Sequence, residues 1–86
     1  MKAREEREYL TKLIDGLEAE YGEVFGLEAY PGERFRLSRT ASYWSDYTAS
    51  FLLYTERDCG ERGWLDFAKE TVPVFRTCVV RIKGDK

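Results

Sequence analysis

The stretch from Leu10 to Phe25 constrains the fold of this chain more than any other. Leu10, Leu13, Ile14, Leu17, Tyr21, Val24 and Phe25 fall at i, i+3, i+4, i+7, i+11, i+14 and i+15. That is the spacing of one apolar stripe on an α-helix. On another side, Arg4, Glu8 and Lys12 alternate in sign four residues apart, a pattern that supports a helix by about 0.2–0.5 kcal/mol per pair. Gly16 weakens the segment by about 1 kcal/mol relative to alanine. The spacing predicts a helix over about residues 3–21, with Gly22 or Gly26 supplying a left-handed stop. Such a stripe must be covered. In a chain of 86 residues the cover is either the rest of one small domain or a second copy of the chain. The copy would pair through Leu10, Leu13, Leu17 and Val24.

Past the helix the period changes from 3.6 to 2. Tyr30-Pro31-Gly32 is a turn signal, because proline fixes φ and glycine accepts positive φ. In Arg34-Phe35-Arg36-Leu37-Ser38-Arg39, Phe35 and Leu37 point one way and Arg34, Arg36 and Ser38 the other, which predicts a half-buried strand. The polar stretch from Thr40 to Asp46 reads as a turn. A second strand is expected from Tyr47 to Thr55, with Tyr47, Ala49, Phe51 and Leu53 on one face and Leu52 and Tyr54 on the other. Residues 57–63 hold two glycines and read as a loop. Trp64, Leu65, Phe67, Ala68 and Val72 follow helical spacing, so a short helix is expected over about residues 63–71, ended by Pro73. Phe75 to Lys83 is rich in branched residues and reads as a third strand. Gly84-Asp85-Lys86 is expected to fray. The order is α-β-β-α-β. The fold class is α+β: one domain over residues 1–86, an antiparallel sheet of about three strands with the long helix on one face.

Charge separates the chain into two parts. Residues 1–33 carry nine acids against four basic residues, a net of −5, and residues 34–86 carry ten basic residues against seven acids, a net of +3. The sum of −2 gives no bulk attraction to nucleic acid or to an anionic membrane. The first residues, Met1-Lys2-Ala3-Arg4-Glu5, lack the apolar region of a signal peptide. No apolar run approaches the length of a membrane span. The cytoplasm is therefore the expected location, and two cysteines there, Cys59 and Cys78, are expected to be reduced.

The missing residue types exclude whole classes of chemistry. Histidine is absent, which removes histidine-based nucleophilic triads and the commonest metal ligand. Two cysteines alone build no four-cysteine zinc site, no glycine loop has phosphate-binding spacing, and no cofactor is expected. Catalysis by two carboxylates, or by Cys59 with Arg57 and Arg62 close by in sequence, is what remains to an enzyme. A Cys59–Cys78 bridge is compatible with the spacing.

Binding residues are concentrated in one segment. Arg34, Arg36, Arg39, Tyr43, Trp44 and Tyr47 lie within fourteen residues, and Arg, Tyr and Trp dominate the energetics of protein interfaces. Aromatic residues make up 15% of the chain, more than one small core holds, so some of these rings are expected at the surface. A second candidate is an acidic surface of Glu18, Glu20, Glu23 and Glu28, which could steer a basic partner. The first expectation is a non-enzymatic protein-interaction module. Small, acidic, motif-free proteins of this type occur among phage and plasmid products that block a host complex, including inhibitors of CRISPR effectors. The alternative is a single-stranded nucleic-acid binder, with rings stacking on bases and guanidinium groups on phosphates.

Overall fold

The computed structural model describes residues 3–82. Helix α1 (Ala3–Tyr21) is followed by strands β1 (Phe25–Leu27), β2 (Tyr30–Ser45), β3 (Ser50–Asp58) and β4 (Trp64–Thr71), then helix α2 (Val72–Cys78) and strand β5 (Val79–Val80). A single 3₁₀ turn, Gly60–Arg62, joins β3 to β4. The strands form one sheet in the order β4-β3-β2-β1-β5, antiparallel throughout. The α+β class stands, but with five strands rather than three.

Helix α1 runs where its stripe places it. It stops because Gly22 takes φ +105° and donates its N–H to the Glu18 carbonyl at 2.8 Å. A side chain at Gly22 would bring Cβ within 2.9 Å of the Val24 carbonyl oxygen, so only glycine fits this stop. Leu10, Ile14 and Leu17 join Phe25, Phe35, Leu37, Leu53, Phe75 and Val79 in one buried cluster. The helical stripe therefore covers this chain's own sheet. Leu10 and Leu17 are each 1% exposed, Leu13 is packed against the same cluster and Val24 is half-buried. Leu10 and Leu17 therefore have no surface left for a two-fold contact, while Leu13 and Val24 keep part of theirs exposed.

Two segments differ from expectation, each for a local reason. The helix expected over residues 63–71 is instead strand β4, Trp64–Thr71. Thr55 pairs with Ala68 and Glu56 with Asp66, so a bulge inserts Phe67 into β4. One extra residue turns strict alternation into apolar residues at 64, 65, 67 and 68, which imitates a helical period. Pro73, expected to end a helix, lies in the first turn of α2. There its missing N–H costs nothing. The strand expected from Phe75 to Lys83 is reduced to Val79–Val80, because Phe75 is buried on the inner side of α2, its ring edge-on to Phe25 at 5.3 Å. Lys83 and the tail Gly84-Asp85-Lys86 lie outside the described residues.

Most of the expected turn at Thr40–Asp46 is instead the C-terminal part of the longest strand, and only Asp46 falls in a turn. Ser38 pairs with Tyr54 and Tyr43 with Leu52, so five steps on β2 span two on β3. Serines hold this wide bulge in place. The Ala41 N–H donates to Ser38 Oγ at 3.2 Å, and the Tyr54 N–H donates to Ser42 Oγ at 2.9 Å. The hairpin turn itself occupies residues 46–49, where Ala49 takes φ 51°.

Ile14→Ala is expected to destabilise the protein by about 2–5 kcal/mol, whereas Thr11→Ala on the exposed side should stay within about 0.5 kcal/mol. Urea unfolding followed by circular dichroism separates the two. Ala49→Gly removes a positive-φ penalty and should raise stability by about 0.5–1 kcal/mol in the same assay.

Candidate functional site

Alternation along β2 and β3 sorts the sheet into two faces. Phe35, Leu37 and Leu53 point to the helix side and are buried. Arg34, Arg36, Leu52, Tyr54, Glu56 and Asp58 point to the other side, which neither helix covers. Cross-strand partners share a face. The pairs Tyr43↔Leu52, Asp58↔Trp64 and Tyr54↔Lys69 therefore bring Tyr43, Trp64 and Lys69 to this open face.

The open face has two halves. Toward the hairpin tip, the Tyr43 and Tyr54 rings lie 6.2 Å apart and tilted. Tyr43 is 40% exposed. Lys69 Nζ sits 5.8 Å from the centre of the Tyr54 ring. Toward the other end, Arg36 Nε donates to Glu56 Oε1 at 2.8 Å, and its guanidinium lies 4.4 Å from the centre of the Trp64 ring. Arg34 Nε is 3.6 Å from Asp58 Oδ2. Beyond Arg34 the face dips. A hollow of about 380 Å³ opens there, lined by Gly26, Pro31, Arg34, Val80 and Ile82; a Cβ at Gly26 would meet Val80 Cγ2 at 3.2 Å.

The six residues singled out in the sequence are divided among three places. Arg34, Arg36 and Tyr43 share the open face. Arg39 points to the helix side, where its Nη2 donates to Asp15 at 2.6 Å and to Glu18 at 2.9 Å. These two carboxylates strengthen its hold on its proton, against a small opposing effect of burial. Arg7 completes the tie by donating to the carbonyls of Ser42 and Arg39 at 3.2 and 2.9 Å. Trp44 also leaves the open face. Its ring packs against Phe51 at 5.0 Å, and its Nε1 donates to Asp46 at 2.8 Å. Tyr47 stands at the hairpin tip, 98% exposed. Leu52, Tyr54, Trp64 and Lys69 belong to the face and were not singled out. Alternation had placed Leu52 and Tyr54 together, but Trp64 and Lys69 were hidden by the helical reading of β4.

The acidic candidates do not form one surface. Glu18 holds Arg39, and Glu20 accepts from Arg76 Nη1 at 3.0 Å. Glu23 and Glu28 are exposed. The hydrogen bond from Arg76, with a smaller one from Tyr21, holds the Glu20 carboxyl below its ordinary range. Both cysteines are unbridged. Cys59 lies beside the Arg57 guanidinium, which it helps hold protonated. The Cys78 thiol donates to the Val74 carbonyl at 3.3 Å and is pushed up by burial. Among the described residues no group of three or more Cys, Asp or Glu side chains could hold a metal ion, and no helix is long and apolar enough to cross a membrane.

Comparison with protein-family models, with curated proteins and with solved structures finds no match.

Because the folded Glu20 carboxyl titrates low, its contribution to stability is present above the ordinary carboxylate pKa and is lost as pH falls through the folded value. Carbon-13 NMR titration should place Glu20 below the ordinary carboxylate range, and Arg76→Ala should raise it. Ser42→Ala leaves the Tyr54 N–H without its buried acceptor and should cost about 1–3 kcal/mol in thermal or urea unfolding.

Proposed function

We propose that this chain is a non-enzymatic protein-binding domain whose open sheet face docks on a protein partner. The domain would act as a small inhibitor acts, by covering a functional groove, in the manner of phage or plasmid products that block a host complex. One observation carries the reading: on the open face the arginines already have carboxylate partners. Arg36 is paired with Glu56 and Arg34 with Asp58, so a phosphate backbone would have to displace a carboxylate at each contact. A protein partner instead gains from the rings. Tyr43, Tyr54 and Trp64, with the Arg36 guanidinium on the indole, offer large, rigid area at small entropic cost.

The single-stranded nucleic-acid reading draws on the same rings and makes an opposite forecast about salt. Phosphate contacts release counterions, so affinity would fall steeply as salt rises.

The test combines a pull-down from nuclease-treated cell extract with anisotropy of a fluorescent single-stranded oligonucleotide. One protein should be recovered in stoichiometric amount by the wild type. Its recovery should fall about tenfold or more with Tyr54→Ala and with Arg36→Ala, while circular dichroism shows both variants folded. Equal recovery by both variants removes the open face as the docking surface. Oligonucleotide binding that weakens steeply with salt replaces the protein reading with the nucleic-acid one.

A further inference from the structure

A cavity of about 310 Å³ lies on the opposite, helix-facing side of the sheet, between strand β4, helix α2 and the β1–β2 turn. Helix α1 packs over β2, and the cavity occupies the end of the sheet beyond it. Its volume falls at the lower end of the range for small-ligand sites. Phe67 and Tyr30 line it, edge to face, with ring centres 4.9 Å apart, and Ala68 and Val74 extend the apolar surface. The bulge in β4 makes this possible, because it puts Phe67 and Ala68 on the helix side together.

One carboxylate borders the apolar surface. Glu70 lines the cavity. It pairs across the strands with Leu53, so it stands on the side of the sheet that otherwise faces the core. Its charge, after burial, helps push the thiol of Cys78, another lining residue, up. Glu70 has no hydrogen bond or ion pair among the described residues, and no lysine or arginine lines the cavity. The Phe67 ring also lies 5.6 Å from the guanidinium of Arg57, a cation that is itself paired with Glu33.

We infer that this cavity receives an arginine side chain presented by a partner protein. The guanidinium stacks on Phe67 and Tyr30, the aliphatic stem lies along Ala68 and Val74, and Glu70 supplies the opposing charge. Arginine suits the site better than lysine because its planar, weakly hydrated head stacks on rings and bonds carboxylates side-on. The cavity and the open face lie on opposite sides of the sheet, so each reading stands or falls without the other.

The test is a pair of probes, N-acetyl-arginine amide and its uncharged counterpart N-acetyl-norleucine amide, titrated into the nitrogen-15-labelled protein. The arginine probe should shift the amides of Phe67, Ala68, Glu70 and Val74 saturably, about tenfold more tightly than the norleucine probe. Glu70→Gln should reduce that preference severalfold, and Glu23→Gln, away from the cavity, should leave it intact. Equal affinity for the two probes, or no saturable shift at these amides, overturns the proposal. So does a preference that survives undiminished in the Glu70→Gln variant.

Discussion

Everything in this fold depends on the burial of Leu10, Ile14 and Leu17 in one cluster with Phe35, Leu37 and Leu53. A helix of 19 residues is about 28 Å long and about 10 Å wide, and it can cover only part of one face of a five-stranded sheet. The small helix α2 adds cover against β3 and β4, with the Phe75 ring reaching Phe25 of β1. The remaining surface is therefore divided into a whole sheet face that no helix covers and a partly covered strip beneath β4. The two places proposed to bind partners are these two remainders.

Two bulges decide what those surfaces present. In β2, the wide bulge between Ser38 and Tyr43 carries the strand across three extra residues. It returns Tyr43, rather than Trp44, to the face shared with Tyr54. In β4, the extra residue Phe67 puts an aromatic ring under the sheet while Asp66 and Lys69 remain on top. A bulge changes which side chain faces where without disturbing the rest of the ladder, and here each bulge places an aromatic residue on a surface that is not fully covered. The polar groups that each bulge displaces are satisfied by side chains. Ser38 and Ser42 serve β2, and the Thr55 hydroxyl donates to the Ala68 carbonyl in β4 at 3.2 Å.

The charge asymmetry of the sequence has a structural counterpart. Several acids of the N-terminal third meet bases from the remainder across the fold: Asp15 and Glu18 with Arg39, Glu20 with Arg76, and Glu33 with Arg57. The separation by sequence is thereby partly cancelled in space. Pairs of this kind at the surface contribute little individually. Their clearer consequence is to remove charge from what looked like an acidic surface and a basic segment, which leaves the aromatic groups and the few unpaired carboxylates to mark the candidate sites.

By itself, the sequence determined the long helix, the hairpin alternation of Phe35 and Leu37 against Arg34 and Arg36, and the absence of histidine chemistry. Each is a matter of local spacing or composition, legible without knowing what packs on what. It misread residues 64–71 as a helix because a bulge changes the period, and it read Val72–Cys78 as mostly strand because Pro73 stops a helix in one position and starts it in another. The segment from Arg34 to Tyr47 was found, but not its division. Strand register and the two bulges sent Arg39 to the helix, Trp44 to Phe51 and Tyr47 to the tip, and brought in Tyr54, Trp64 and Lys69 from strands far along the chain. Neighbours across a sheet are set by hydrogen-bond register between distant segments, and only the tertiary structure contains that register.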